Sequence, residues 1–513
     1  MSTFDYSMCR RVAAVPSPTR VLFVGLDAMD PEISRDLVAR GRLPTLAALL
    51  DTSAWADTSN PVGLFIGGVW PSFSTGCSPA RHGFHCFLQL IPGTYEVARF
   101  DQRDVRLPPF WQTLSEGGLR CAVVDVPITP ITGGPADVHI ADWGTHDRML
   151  PFDASPPGLV SDVRQKFGDH AVSGKCDDYA ARGAYGQLRD DLLAGVEDKS
   201  RLSEQLLLQG NWDLFVTAFG ESHCAGHQFW RVHDRSHPAH DKELAAHLGD
   251  PVEDVYAALD AGLSRLLSCV DDDTVVFVLL SHGMGPHYDG DHLFAEVLRR
   301  IEDGDARPSR AVALREGLRR YGRRARRWGS ANVRSELTSV DGSRRFFRVP
   351  NNDAFSGVRI NLVGREPAGR VHPGAELEAL VEQLREDLLA LTNTATGHPV
   401  VTEVIRTSEV YSGEALDVLP DLLVGWSREA PVLEVSSPKT GIVTKHPGAM
   451  RSGDHLPDGL ILARGPSINS GPLGHRVSVT DLAPTIAAVL GTSLPDVDGQ
   501  SVPSLTGALT TGT

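Results

Sequence analysis

Six apolar residues, Val275–Leu280, run without a polar break into Ser281-His282-Gly283 in the segment VVFVLLSHGMGPHYDGDH. An uninterrupted Val- and Leu-rich run of this length fits a strand buried on both faces, as in a parallel sheet covered by helices on either side. Polar residues at its carboxyl end then stand where open α/β sheets bind ligands. The same pattern recurs along the chain. RVLFVGLDAMD ends in Gly25-Leu26-Asp27, and CAVVDVPIT, DLFVTAFGES and DGLILARGPS each break into polar or glycine-containing ends. Helical stretches lie between them, beginning with LVARGRLPTLAALLD. The alternation predicts an α/β fold, a doubly wound and mostly parallel sheet.

At 513 residues the chain exceeds one minimal core, and we expect a single large α/β domain over residues 20–502 carrying an insertion. Between residues 294 and 348 the pattern changes to an Arg-rich, helix-like stretch containing ALREGLRRYGRRARRW. This reads either as the solvated face of an amphipathic helix or as a cap whose arginines contact an anionic substrate or partner. The formal net charge of −16 argues against nucleic acid and anionic membrane as partners. A small anionic substrate, a nucleotide among the candidates, would need a local positive feature such as a metal. Seven scattered cysteines with no C-x-x-C pair read as reduced thiols. The first twenty residues lack the apolar core of a signal peptide, and no apolar run is long enough to span a bilayer, so the expected location is cytoplasmic.

Four polar clusters stand at strand ends or beside them. Asp27 can be a helix N-cap or a metal ligand, and the residue alone does not decide. In GESHCAGHQFW, His223 and His227 lie four apart, so on a helix both rings point the same way and can share an ion. His282 is either a structural hydrogen-bonding histidine or a ligand. His455 lies in RSGDHLPDG, read as a glycine-containing loop before another strand. Four such features, each at the expected carboxyl rim of one sheet, are less easily dismissed together than singly.

The ordered series VLFVGLDAMD, GRLPTLAALL, WPSFSTGCSPARHGF, VVDVPITPITGG, GHQFWRVHD, LLSHGMGP, INLVGREPAGRV, GDHLPDG and VSVTDLAPTIAAVLGTSLPDVDGQ resembles the type I phosphodiesterase/nucleotide pyrophosphatase branch of the alkaline phosphatase superfamily. The resemblance implies that superfamily's doubly wound sheet with an inserted cap, and two zinc ions flanking a Thr or Ser nucleophile. One zinc is usually held by an Asp, a His four residues later and a late His. The matched positions here are His223, His227 and His455, so a third imidazole replaces the carboxylate. The second zinc usually takes an early Asp, the nucleophile and an Asp-His pair, which match Asp27, Ile66, Ser281 and His282. Isoleucine cannot attack phosphorus, and a serine hydroxyl is a poorer zinc ligand than a carboxylate. One tight zinc site and a weak or absent second one follow.

The expected activity is a metal-dependent hydrolase or group transferase acting on a phosphate-type or sulfate-type ester by direct displacement, without the Thr or Ser nucleophile. Zinc would acidify a water for that attack or polarise an anionic group. A second route makes Ser281 a displaced nucleophile with His282 as its base. Glu221, close to the His pair, is a candidate general base or a helix cap. His287, Asp289, Asp291 and His292 either add ligands or form a hydrated loop. The alternative to an enzyme is a binding or regulatory protein that reuses the pocket.

Overall fold

The computed structural model describes residues 19–134, 137–145, 148–172, 175–303, 338–352, 354–445 and 451–506. The central sheet is built from β1 (Val21–Leu26), β2 (Ala54–Ser59), β3 (Cys121–Val124), β4 (Val138–Ala141), β5 (Asp153–Ser155), β6 (Leu214–Phe219), β7 (Val275–Leu280) and β10 (Gly459–Arg464). A short ladder of β8 (Gly283–Pro286) with β9 (Gly453–Leu456) lies between β7 and β10 in sequence, and β11 (Gly471–Pro472) and β12 (Val477–Ser478) finish one edge. The strand order is β11-β2-β10-β7-β1-β6-β3-β4-β5. β1 runs parallel to both β6 and β7, and β3 is parallel to β4 and β6.

Every residue of β1, β6 and β7 is buried. Leu22, Val24 and Leu26 enter the apolar cluster on one face, while Val21 and Phe23 enter the cluster on the other. This is the two-sided burial that the unbroken apolar runs predicted, each large side chain contributing roughly 1.5–3 kcal/mol. The helices that matter for the site are α1 (Pro31–Ala39), α2 (Pro44–Thr52), α3 (Phe65–Thr75), α4 (Tyr185–Gln209), α5 (Glu221–His233), α6 (Pro251–Leu267) and α7 (Asp291–Asp303). The single helical stretch expected before Asp51 is two helices. Gly41, at φ 70°, turns the chain between α1 and α2.

β10 departs from the parallel pattern, pairing antiparallel with β7 so that Leu460 faces Leu280. Its amino end therefore lies at the rim formed by the carboxyl ends of β1, β6 and β7. The GDHLPDG segment, expected as a loop, is instead strand β9 with its approach to β10, and β9 pairs antiparallel with β8.

A second unit is inserted between β8 and β9. Its four-stranded antiparallel sheet has the order Phe346–Val349, Phe355–Ile360, Leu422–Trp426, Val401–Arg406. α7 and the helix Ala375–Leu389 cover it, with a separate apolar core that includes Leu293, Val297, Ile360, Leu384 and Val424. Phe347 and Val349 also pack on Leu90 and Val97 from a small hairpin, closing a roof over the carboxyl rim. Most of the Arg-rich stretch, including ALREGLRRYGRRARRW, lies outside the described residues. Among the described residues no helix is long and apolar enough to cross a membrane.

Candidate metal centre

The register of the sheet sets the height of the site. Leu26 lies opposite both Phe219 and Leu280, so Asp27, Gly220 and Ser281 leave three adjacent strands at one level. Gly220 leads directly into α5, whose spacing places His223 and His227 on one side with ring centroids 4.8 Å apart. His455 arrives from β9, opposite Met284 of β8. Two glycines permit this approach. A Cβ on Gly453 would stand 2.2 Å from the carbonyl oxygen of Gly226, and one on Gly226 would collide with Met284. With helix and strand this close, the His455 ring lies 4.5 Å from that of His223 and 4.6 Å from that of His227.

The hydrogen bonds of these rings determine where their lone pairs point. His227 Nδ1 lies 2.8 Å from the carbonyl oxygen of Gly453, which can only accept, so Nδ1 carries the proton. His223 Nδ1 lies 2.7 Å from Asp27 Oδ2 and donates to that carboxylate. The two Nε2 atoms face each other at 3.0 Å, and with each ring neutral and its proton on Nδ1 both would present lone pairs. A shared proton would serve two rings. Here a third imidazole, His455, joins them, with Nδ1 buried and lacking a hydrogen-bond partner. Burial pushes His455 well below its ordinary pKa, so it is neutral. Candidate ligand atoms of all three lie within 4.8 Å of one another. Tetrahedral zinc with imidazole nitrogens at its usual bond length sets neighbouring nitrogens about 3.3 Å apart, so the donor set fits. The carboxylate behind one ligand is the outer-shell partner expected of a metal-bound histidine.

Asp27 has a different environment. Its Oδ1 accepts from Trp70 Nε1 at 2.7 Å and from Ser281 Oγ at 3.0 Å, while Oδ2 accepts from His223. Burial opposes the charge, but His223, His282 and Trp70 together hold this carboxyl well below the usual range. Trp70 reaches it by lying across Gly25, where a Cβ would come within 2.4 Å of the indole. Asp27, His223 and His282 lie close enough to form a ligand group. Three donors nevertheless occupy the two carboxylate oxygens.

Ser281 is fully buried, and its Oγ also accepts from the amide of Ala28 at 3.1 Å. His282 turns Nδ1 toward the carbonyl oxygen of Gly283 at 3.3 Å, and its Nε2 lies 3.6 Å from Asp27 Oδ1. Serine and histidine thus each face Asp27 or backbone, and the geometry does not make them a nucleophile and base.

A cavity of about 1000 Å³ opens over this rim. Asp27, Ile66, His223, His227 and His455 line it, as do His287, Asp289, Asp291 and His292. Ile66 occupies the first turn of α3, while the hydroxyls farther along that helix are engaged elsewhere: Ser72 with His82, Ser74 and Thr75 with the carbonyl of Pro71.

Glu221 does not reach the cavity. Its Oε1 lies 3.1 Å from His170 Nε2 and 3.6 Å from Lys199 Nζ, in a fully buried cluster behind α5. Residues two apart on a helix point in nearly opposite directions, so closeness in sequence to His223 was misleading. Lys199 also donates to the carbonyls of Gly144 and Ala218 and lies 3.5 Å from Asp125. The sequence reading missed this cluster, because a lysine within a 25-residue helix looks like a solvent-facing one. It also passed over Asp454, Arg348 and Arg451 of the cavity wall. Adjacency to His455 was the one signal available for Asp454.

The sequence matches the type I phosphodiesterase / nucleotide pyrophosphatase family over residues 21–445, and the chain belongs to that family of metal-dependent phosphoester hydrolases. No curated protein matches it significantly. Among solved structures, phosphonoacetate hydrolase from Sinorhizobium meliloti 1021, in complex with phosphonoformate, superposes with a TM-score of 0.53 at 13% identity, covering 91% of this chain and 94% of that one. Murine ectonucleotide pyrophosphatase / phosphodiesterase 5 gives 0.50 at 12% identity, covering 94% of this chain and 98% of that one. At such identities the likeness is one of fold, a mostly parallel central sheet with helices.

Proposed function

We propose that this protein is a zinc-dependent hydrolase or group transferase for a small phosphate-type or sulfate-type ester, acting by direct displacement without a Thr or Ser nucleophile. The observation that carries the reading is the pairing of three converging imidazoles with an isoleucine at the cavity end of α3. His223, His227 and His455 would hold the ion. When bound, zinc there supplies Lewis-acid polarisation of an ester oxygen and acidifies water near neutral pH. Asp27 fixes the tautomer and orientation of His223, and Ser281 with Trp70 fixes Asp27. Ile66 and Trp70 present apolar wall beside the site, which keeps bulk water away from the reacting ester. Glu221 and Lys199 clamp the start of α5 and take no proton from substrate. The scattered free thiols suit a cytoplasmic protein.

The test is stereochemical. A p-nitrophenyl ester of a chiral phosphorothioate should be turned over with inversion at phosphorus, and rapid quenching should leave no mass adduct on the intact chain. Retention, or an adduct on any residue, would overturn direct displacement.

A further inference from the structure

We infer that His287, Asp289 and Asp454 form a second divalent-cation site on the wall of the cavity, distinct from the three-histidine centre. None of the three coincides with a position at which the family resemblance places a metal ligand, and the inference does not depend on the proposed activity.

The backbone brings these residues together. Asp454 of β9 lies opposite Gly285 of β8, and the His287 amide, just beyond β8, donates to the carbonyl of Ser452 at 3.1 Å. Asp289 follows two residues later, and its Oδ1 accepts from the Asp291 amide at 2.8 Å, which fixes the carboxylate in one orientation. Donor atoms of His287, Asp289 and Asp454 all lie within 4.8 Å of one another. All three residues line the cavity.

The hydrogen-bond pattern points to a ligand. His287 Nδ1 lies 3.0 Å from the carbonyl oxygen of Arg451, which can only accept, so Nδ1 carries a proton and Nε2 is the nitrogen turned toward the carboxylates. Backbone fixation of one ring nitrogen is how metal-binding histidines are usually oriented. Nε2 approaches Asp289 Oδ2 to 2.6 Å, yet Oδ2 accepts no hydrogen bond and Asp289 is only 5% exposed. A contact this close is attractive when a cation holds the two atoms, either a second proton on the ring or a divalent ion bound by both, and a second carboxylate, Asp454, within reach favours the ion of higher charge.

Among the described residues, the neighbouring cations make contacts of their own. Arg428 reaches Asp454 Oδ2 at 3.3 Å and the carbonyl of Pro286 at 3.4 Å. Arg348 pairs with Asp291, and Arg451 pairs with Asp177. Lys445 donates to the carbonyl of His292 at 3.1 Å. One imidazole and two carboxylates make a mixed nitrogen and oxygen set, suited to Zn²⁺ or Mn²⁺ more than to Mg²⁺.

The experiment counts ions on the full chain after chelation, with zinc added and measured both calorimetrically and by elemental analysis after gel filtration. Wild type should take up two zinc ions per chain. Asp289→Asn should weaken one binding step at least tenfold and leave the other; His227→Ala should do the reverse. His287→Gln, which keeps the ring's approximate volume, guards against a variant that fails to fold and should reproduce Asp289→Asn. Mn²⁺ added to His227→Ala should give an electron paramagnetic resonance signal of bound ion that Asp289→Asn removes in the double variant. Unchanged zinc stoichiometry and affinity in both Asp289→Asn and His287→Gln would overturn the site. So would a wild type whose bound zinc disappears entirely in His227→Ala.

Discussion

The two ends of the His223 ring face opposite chemical situations. At Nε2 a second imidazole nitrogen stands 3.0 Å away, with a third ring beside it. At Nδ1 the ring meets Asp27, whose oxygens already hold an indole N–H and a serine O–H. The first arrangement gathers imidazole nitrogens around one point; the second is a hydrogen-bond network around a carboxylate. Residues that resemble the family's two metal positions therefore differ in kind. On the function proposed above, the histidine half would offer lone pairs to an ion, whereas the aspartate half uses its lone pairs to hold Trp70, Ser281 and His223.

The sharpest way to break this contrast is His227→Ala. Losing one of three ligands should remove the tight ion from the histidine half and reduce turnover by at least about 1000-fold. Elemental analysis and steady-state kinetics would read both effects, and a variant that kept full turnover would dissolve the distinction.

A smaller effect is expected from Asp27→Asn. Asparagine has a single side-chain acceptor, which Trp70 and Ser281 both claim, leaving its amide N–H₂ to face His223 Nδ1. That contact favours the tautomer with a proton on Nε2, where the ligand lone pair should be. Zinc affinity should fall by about 10- to 100-fold, measured by competition with a chromogenic chelator.

The smallest change is Ser281→Ala. It removes a donor to a buried carboxylate and the acceptor for the Ala28 amide, so unfolding free energy should drop by about 2 kcal/mol in denaturant titration. Zinc should remain bound and turnover should fall by less than tenfold. Loss of the ion in this variant would show that the aspartate half coordinates metal after all.

These contrasts mark how far the sequence could be read. The unbroken apolar runs announced β1, β6 and β7, and four-residue spacing placed His223 and His227 on one helix face. Both are periodic signals that local chemistry carries. His455 was identified as a candidate, but its segment was read as a loop, because strand direction depends on pairing with distant partners. Glu221 was misread for a related reason: its partners His170 and Lys199 come from other segments. The saturation of Asp27 was equally hidden, since Trp70 and Ser281 reach it from positions 43 and 254 residues away.

The reversed direction of β10 has a consequence in time. Because that strand delivers His455 to a rim otherwise made by β1, β6 and β7, the histidine triad cannot close until a segment near the end of the fold has docked against β7 and β8 across the whole inserted unit. Contacts that span so much of a chain are slow to form. Capture of zinc during refolding would therefore be a clock for the last long-range step, reporting complete assembly where helix content or tryptophan burial would report only its earlier stages.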